Sequence, residues 1–150
     1  MKSRKVSRSK VAGPSLYIDT TVMNEITVAI VSGLEIKHIT RPIGFDQRDD
    51  LLRYVDQLVK KYKVPMNSIS SIIVVRGPGS FTAIRVGVTV ANALGQALAV
   101  PVYGIKKMDS IGIADVVEKA KRTKKANVSI LPFYDRAPNI TKPSRKSINK

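Results

Sequence analysis

Residues 72–87 read Ile72-Ile73-Val74-Val75-Arg76-Gly77-Pro78-Gly79-Ser80-Phe81-Thr82-Ala83-Ile84-Arg85-Val86-Gly87. A four-residue apolar run enters a Gly-Pro-Gly turn, and a segment holding Ser80 and Thr82 then opens a long apolar helix. Two glycines around a proline specify a sharp turn with exposed backbone. Ser80 or Thr82 can cap the helix by accepting a bond from one of its orphan amides. Bare amides in a strand-to-helix turn are one way to cradle a phosphate. This turn lacks the Gly-Lys-Ser/Thr ending of a P-loop, and tight packing is the other reading of the same glycines.

Upstream of the turn, Ser15-Leu16-Tyr17-Ile18-Asp19-Thr20 reads as a first strand within residues 11–20, with further strands over 26–31 and 34–39. Ser32-Gly33 between the last two is a hairpin signal. Residues 46–62 switch to helical spacing: Leu51, Leu52, Val55, Leu58, Val59 and Tyr62 form one stripe, and Asp46 is a suitable N-cap. Downstream, a helix runs to about Ala99, a short strand covers 101–105, and a weaker helix covers 108–120. The order β-β-β-α-β-α-β-α predicts an actin-like or ribonuclease H-like α/β domain with a mixed five-stranded sheet and crossover helices. The expected organisation is one domain over residues 12–120 in two layers, with a basic flexible arm at 1–11 and a basic C-terminal segment at 121–150.

The helix after the signature turn has a patterned surface. Arg85, Thr89, Asn92 and Gln96 recur at spacings of four, three and four, so they fall on one line. The remaining apolar arc spans roughly 220°, against a stripe of about 100° needed to cover one sheet face. Ala83, Gly87, Ala91 and Gly95 make a smooth ridge within that arc, where another backbone can approach closely. Either the helix is buried between the sheet and its neighbour helix, or part of the arc receives another protein.

The chain of 150 residues is 43% apolar, carries a net charge of +15 and contains no cysteine. This excludes disulfide and thiolate chemistry, and no apolar run is long enough to span a membrane. A start without a signal-peptide core leads to the expectation of a cytoplasmic protein. The charge sits at the ends: residues 1–11 carry five basic groups and residues 119–150 carry ten with one acid, Asp135. That leaves 11 basic and 10 acidic groups for the middle of the chain. Basic arms suit a polyanion; a solubilising tail and an organelle transit peptide are the other readings. Candidate RNA contacts are Lys2, Arg4, Lys5, Arg8, Lys10, Arg122, Lys124, Lys125, Arg145 and Lys146.

Catalytic constellations fail one by one. An actin-like ATPase needs a glycine loop after Asp19, and residues 20–24 supply none. A two-metal nuclease needs a carboxylate at the end of the fourth strand, where this chain has Arg76. The single His38 fits an exposed strand position and supports neither a zinc site nor a Ser-His-Asp triad. A metallopeptidase would need a His-x-x-x-His pair. The expectation is a protein without cofactor or metal that is not an enzyme by itself.

Gly77-Pro78-Gly79-Ser80-Phe81-Thr82, continued by Ile84-Arg85 and Gly87, resembles the signature of the TsaB (YeaZ) family, with Ala83 where the family usually has Gly. Ile18-Asp19-Thr20 and Ala99-Val100-Pro101-Val102-Tyr103-Gly104 are similar to the family's first strand and to the strand following its signature. Leu131 to Thr141 is similar to its closing Pro-x-Tyr-x-Arg segment. A second domain is missing between these parts, so the chain resembles a shortened TsaB. The family usually has a His near the position of Gln47, and nothing carries over there.

The resemblance implies a role without a reaction of its own. TsaB pairs with a TsaD-type catalytic subunit and, with a TsaE-type ATPase, supports threonylcarbamoyl transfer to the adenosine next to the anticodon of tRNA. The implied partner surface is Ala83, Val86, Gly87, Val90 and Ala91, edged by Arg85 and Asn92, with Leu52, Val55 and Val59 on the first helix. Two other classes are open. One is a stand-alone RNA-binding module, against which stands an aromatic content of only 5%; the other is an isologous homodimer through the same helix face.

Overall fold

The computed structural model describes residues 13–43, 47–107, 112–122 and 130–134. Strands β1 (Ser15–Asp19), β2 (Glu25–Ser32) and β3 (Glu35–Pro42) are followed by helix α1 (Gln47–Lys61) and a short 3-10 turn at Met66–Ser68. Strand β4 (Ser71–Val75), helix α2 (Phe81–Leu98), strand β5 (Val102–Ile105) and helix α3 (Ile113–Arg122) complete the order. The five strands form one mixed sheet in the order β3-β2-β1-β4-β5. β1 to β3 meander antiparallel, while β4 runs parallel to both β1 and β5. Parallel neighbours need a crossover, and α1 and α2 supply it.

The β2–β3 turn is the two-residue loop Gly33-Leu34, flanked by the pair Ser32 and Glu35. Gly33 sits there at φ +59°, which a residue with a Cβ resists. β3 therefore runs three residues beyond the expected end of the third strand. It is the edge, and its outward positions are polar: Thr40 hydrogen-bonds Thr27 at 2.8 Å, and Lys37 pairs with Glu35.

The sheet is covered on both faces, so the layers number three rather than two. Leu16, Ile18, Val28, Ile72 and Val74 pack under Leu51 and Leu58 of α1 and Ile84, Val88 and Ala91 of α2. Tyr17, Ala29, Val31, Ile73 and Val75 pack under Val116, Val117 and Ala120 of α3. Central strands buried on both faces become the continuous apolar run Ile72–Val75. No helix of the described residues is long and apolar enough to cross a membrane.

Two details of the helices depart from the sequence pattern. On α1, Tyr54 enters the core and donates its hydroxyl to the Pro42 carbonyl at 2.7 Å. Leu52, expected on the buried stripe, stays 43% exposed. The domain also does not end at residue 120: Ile130, inside the expected C-terminal segment, is buried in the core against α2. Arm residues 1–11 and the proposed cap Asp46 lie outside the described residues.

Candidate functional site

The signature turn is packed by its own chain on two sides. A Cβ on Gly77 would lie 2.0 Å from the Phe133 carbonyl oxygen, and one on Gly79 would lie 3.0 Å from the Thr21 backbone. Gly77 adopts φ +131°. Its carbonyl accepts from Lys107 N–H at 2.8 Å, and Arg76 exchanges backbone bonds with Ile105 and Phe133. Ser80, one of the two caps the sequence offered, caps α2, its Oγ accepting from the Ala83 amide. These glycines serve close packing.

At the end of β1, Asp19 Oδ1 accepts from the Thr21 amide at 2.8 Å and from the Thr21 hydroxyl at 2.6 Å. The Tyr17 hydroxyl donates to Oδ2 at 3.4 Å. Burial, then the Asp19 charge and this bond, push the Tyr17 phenol well above its ordinary range. Asp19 thus terminates the strand with a local turn. Among the described residues no three His, Cys, Asp or Glu side chains stand close enough to hold a metal ion.

The ridge on α2 faces inward. A Cβ on Gly87 would lie 2.5 Å from Thr20 Oγ1, whose hydroxyl donates to the Ala83 carbonyl at 2.8 Å. One on Gly95 would meet Val102 at 2.2 Å. The backbone that approaches this ridge is the chain's own sheet. Ala83, Gly87, Val90 and Ala91, together with Val55 and Val59 of α1, are buried within the domain, which corrects their placement on an outer surface.

Asn92 is not on a free polar edge either, because its amide is bonded to Ile130 on both sides. Of the expected partner residues, Leu52 and Arg85 are exposed and Val86 is half-buried. Arg48, Arg85, Val86, Thr89 and Val90 line a shallow groove of about 150 Å³ between α1 and α2. Gln47 opens α1 where the family's histidine would fall.

Segment 130–134 is the feature that spacing and periodicity missed, although its likeness to the family's closing segment marked it. It crosses the signature turn and the start of α2. Phe133 lies under Arg76 at 5.8 Å and under Lys106 at 4.2 Å. Tyr134 packs on Phe81 with ring centroids 4.5 Å apart and accepts a bond from Arg85 Nε at 3.1 Å. Arg122, the one candidate RNA contact among the described residues, is exposed and paired with Glu118 at 2.7 Å.

A meander of three antiparallel strands, two parallel strands, crossover helices on one face and a further helix on the other defines the ribonuclease H-like, actin-like class of α/β domains. The family model described as TsaD, tRNA N6-adenosine threonylcarbamoyltransferase, matches residues 47–129, and the chain belongs to that family. Its similarity to solved structures includes YeaZ from Pseudomonas aeruginosa, with TM-score 0.58 and 25% identity over 75% of this chain and 50% of that one. It is 32% identical over 57 residues to the tRNA threonylcarbamoyladenosine biosynthesis protein TsaB of Bacillus subtilis, covering 38% of this chain and 25% of that protein. An uncharacterized protein of Mycobacterium tuberculosis is 31% identical over 104 residues, 65% of this chain and 47% of its own length. The chain thus spans half or less of these relatives. The likeness to TsaB drawn from the signature turn is met in both sequence and structure.

Proposed function

We propose that the chain is a non-catalytic, TsaB-like subunit that docks on a TsaD-type catalytic subunit. There it supports threonylcarbamoyl transfer to the adenosine next to the anticodon of tRNA, with a TsaE-type ATPase, in the cytoplasm. The observation that carries this reading is the outer face of α2. Thr82, Thr89, Ala93, Gln96 and Ala97 are exposed and Val86 half-exposed, and Arg85 is the only charged residue in the helix. An outward helix face normally carries the charge, and this chain is 25% charged. Small uncharged side chains let a second helix approach to about 8–10 Å. Leu52 of α1 adds an exposed apolar side chain. The engaged state of Asp19 and the packed signature turn support a scaffolding role.

The test is co-expression with the TsaD-type protein of the same genome, read by size-exclusion chromatography with light scattering. A one-to-one complex is expected. Ala93→Arg and Val86→Asp should each abolish it while leaving the circular dichroism spectrum unchanged. Ala91→Arg is unsuitable, because that side chain is fully buried. A complex that survives both outer substitutions would place the interface elsewhere. A chain that stays alone or pairs only with itself would overturn the reading.

A further inference from the structure

The carboxyl ends of β4 and β5 lead directly into Arg76 and Lys106. Side chains alternate along a strand. Val74 and Val102 point to the α1–α2 face, so Arg76 and Lys106 project on that same side of the sheet. Gly104 leaves room there: a Cβ on it would lie 3.1 Å from Arg76 Cδ. Phe133 then gives both cations one ring to rest on. Arg85 extends the row along α2, held by Tyr134.

Among the described residues these three cations form no ion pair, a trait shared with Arg41, Lys61, Lys63 and Lys107; what sets them apart is their gathering on the adjacent side chains of Phe133 and Tyr134. Asp19, at the same end of the sheet, follows Tyr17 onto the α3 face and spends its oxygens on Thr21 and Tyr17. Positive charges gathered in a row, two of them over the Phe133 ring and one on the Tyr134 hydroxyl, without an ion pair among the described residues, suit a polyanionic backbone. Phe133 is already occupied by Arg76 and Lys106, so it positions the cations instead of stacking on bases.

From this arrangement we infer that the row Arg76, Lys106 and Arg85, fixed by Phe133 and Tyr134, is a contact site for the phosphodiester backbone of RNA on the folded domain itself, separate from the basic ends. The choice of RNA rests on the proposed role in tRNA modification; the site does not.

The experiment is fluorescence anisotropy of the full chain with a labelled, unmodified tRNA transcript, titrated between about 50 and 200 mM salt. Arg76→Gln combined with Lys106→Gln should weaken binding on the order of tenfold. It should also reduce the slope of log affinity against log salt by about 1.4–1.8, at about 0.7–0.9 per phosphate lost. Phe133→Leu should weaken binding and leave the slope intact, because the charges remain but are no longer held. An affinity and slope within about twofold of the parent in the double variant would assign RNA binding to the ends and overturn the site. Polyglutamate competing as well as RNA at equal charge would reassign it to an acidic protein. The same double variant is carried through the co-expression assay. Complex formed with RNA lost supports both readings, and RNA bound without complex removes only the docking role.

Discussion

Asn92 on α2 binds the backbone of Ile130 twice, its Nδ2 donating to the carbonyl and its Oδ1 accepting from the amide, each at 2.9 Å. The two residues are 38 positions apart, so this side chain anchors the start of the segment that returns across the signature turn. Ile130 lies in none of the described strands, and the Asn92 amide satisfies its backbone in place of a ladder.

Asn92→Ala should therefore cost about 1–3 kcal/mol, two hydrogen bonds at roughly 0.5–1.5 each. Asn92→Asp should be worse than Ala, since a carboxylate beside the Ile130 carbonyl repels it and donates nothing. Urea unfolding followed by circular dichroism measures both. An Asp variant as stable as the parent would mean that segment 130–134 is not held at this point.

The two positive-φ glycines should separate in their response to alanine. Gly33 has nothing within 4 Å of a Cβ, so Gly33→Ala meets only the backbone cost of about 1–2 kcal/mol. Gly77 adds a steric one, a Cβ 2.0 Å from a backbone oxygen that has no flexible end to yield. Gly77→Ala should cost upwards of about 3 kcal/mol, or displace segment 130–134 from the turn. Thermal unfolding of the pair, with hydrogen exchange at the Phe133 amide, distinguishes these outcomes.

Much of the fold was legible because it is written in local pattern. The apolar run Ile72–Val75, the Ser80 cap and the 3.6-residue spacing of α1 each follow from interactions within a few residues. The site was less legible, because it depends on which side of α2 meets the sheet. Ala83, Gly87, Ala91 and Gly95 look identical in sequence whether a partner's backbone or the chain's own β1 and β5 approach them. Only Thr20 and Val102, distant in sequence, decide between the two. Phe133 and Tyr134 were likewise invisible as parts of the row, since their partners Arg76, Lys106, Phe81 and Arg85 lie far upstream.

Leu52 and Leu58 occupy the same expected stripe of α1 and should behave as opposites. Leu58 is fully buried beneath the helix, so Leu58→Ala should cost about 2–5 kcal/mol. Leu52 faces outward, and Leu52→Gln should stay within about 0.5 kcal/mol in the isolated chain. If α1 contributes to docking, the same Leu52→Gln variant should still weaken the complex. Urea midpoints for the chain alone and a pull-down titration with the TsaD-type protein give the two readings. A large loss of stability at Leu52 would return it to the core.

Tyr17 gives the domain an alkaline limit. Its hydroxyl is buried beside Asp19, and burial foremost, then that carboxylate's charge and hydrogen bond, raise its pKa in the folded chain. The unfolded phenol ionises near the ordinary value of about 10, and the folded one resists. Above that pH the folded state therefore binds the extra proton, and stability falls as pH rises. The contribution is fully present below about pH 10 and is lost from there toward the higher folded pKa. Tyr17→Phe removes the titrating group and leaves the packing. Near neutral pH it should stay within about 1 kcal/mol of the parent, since a 3.4 Å bond is long. Above about pH 10 the parent should lose up to about 1.4 kcal/mol more per pH unit than the variant. Urea unfolding at a series of pH values from neutral to alkaline measures the difference; parallel curves would show that Tyr17 ionises as freely in the folded chain as in the unfolded one.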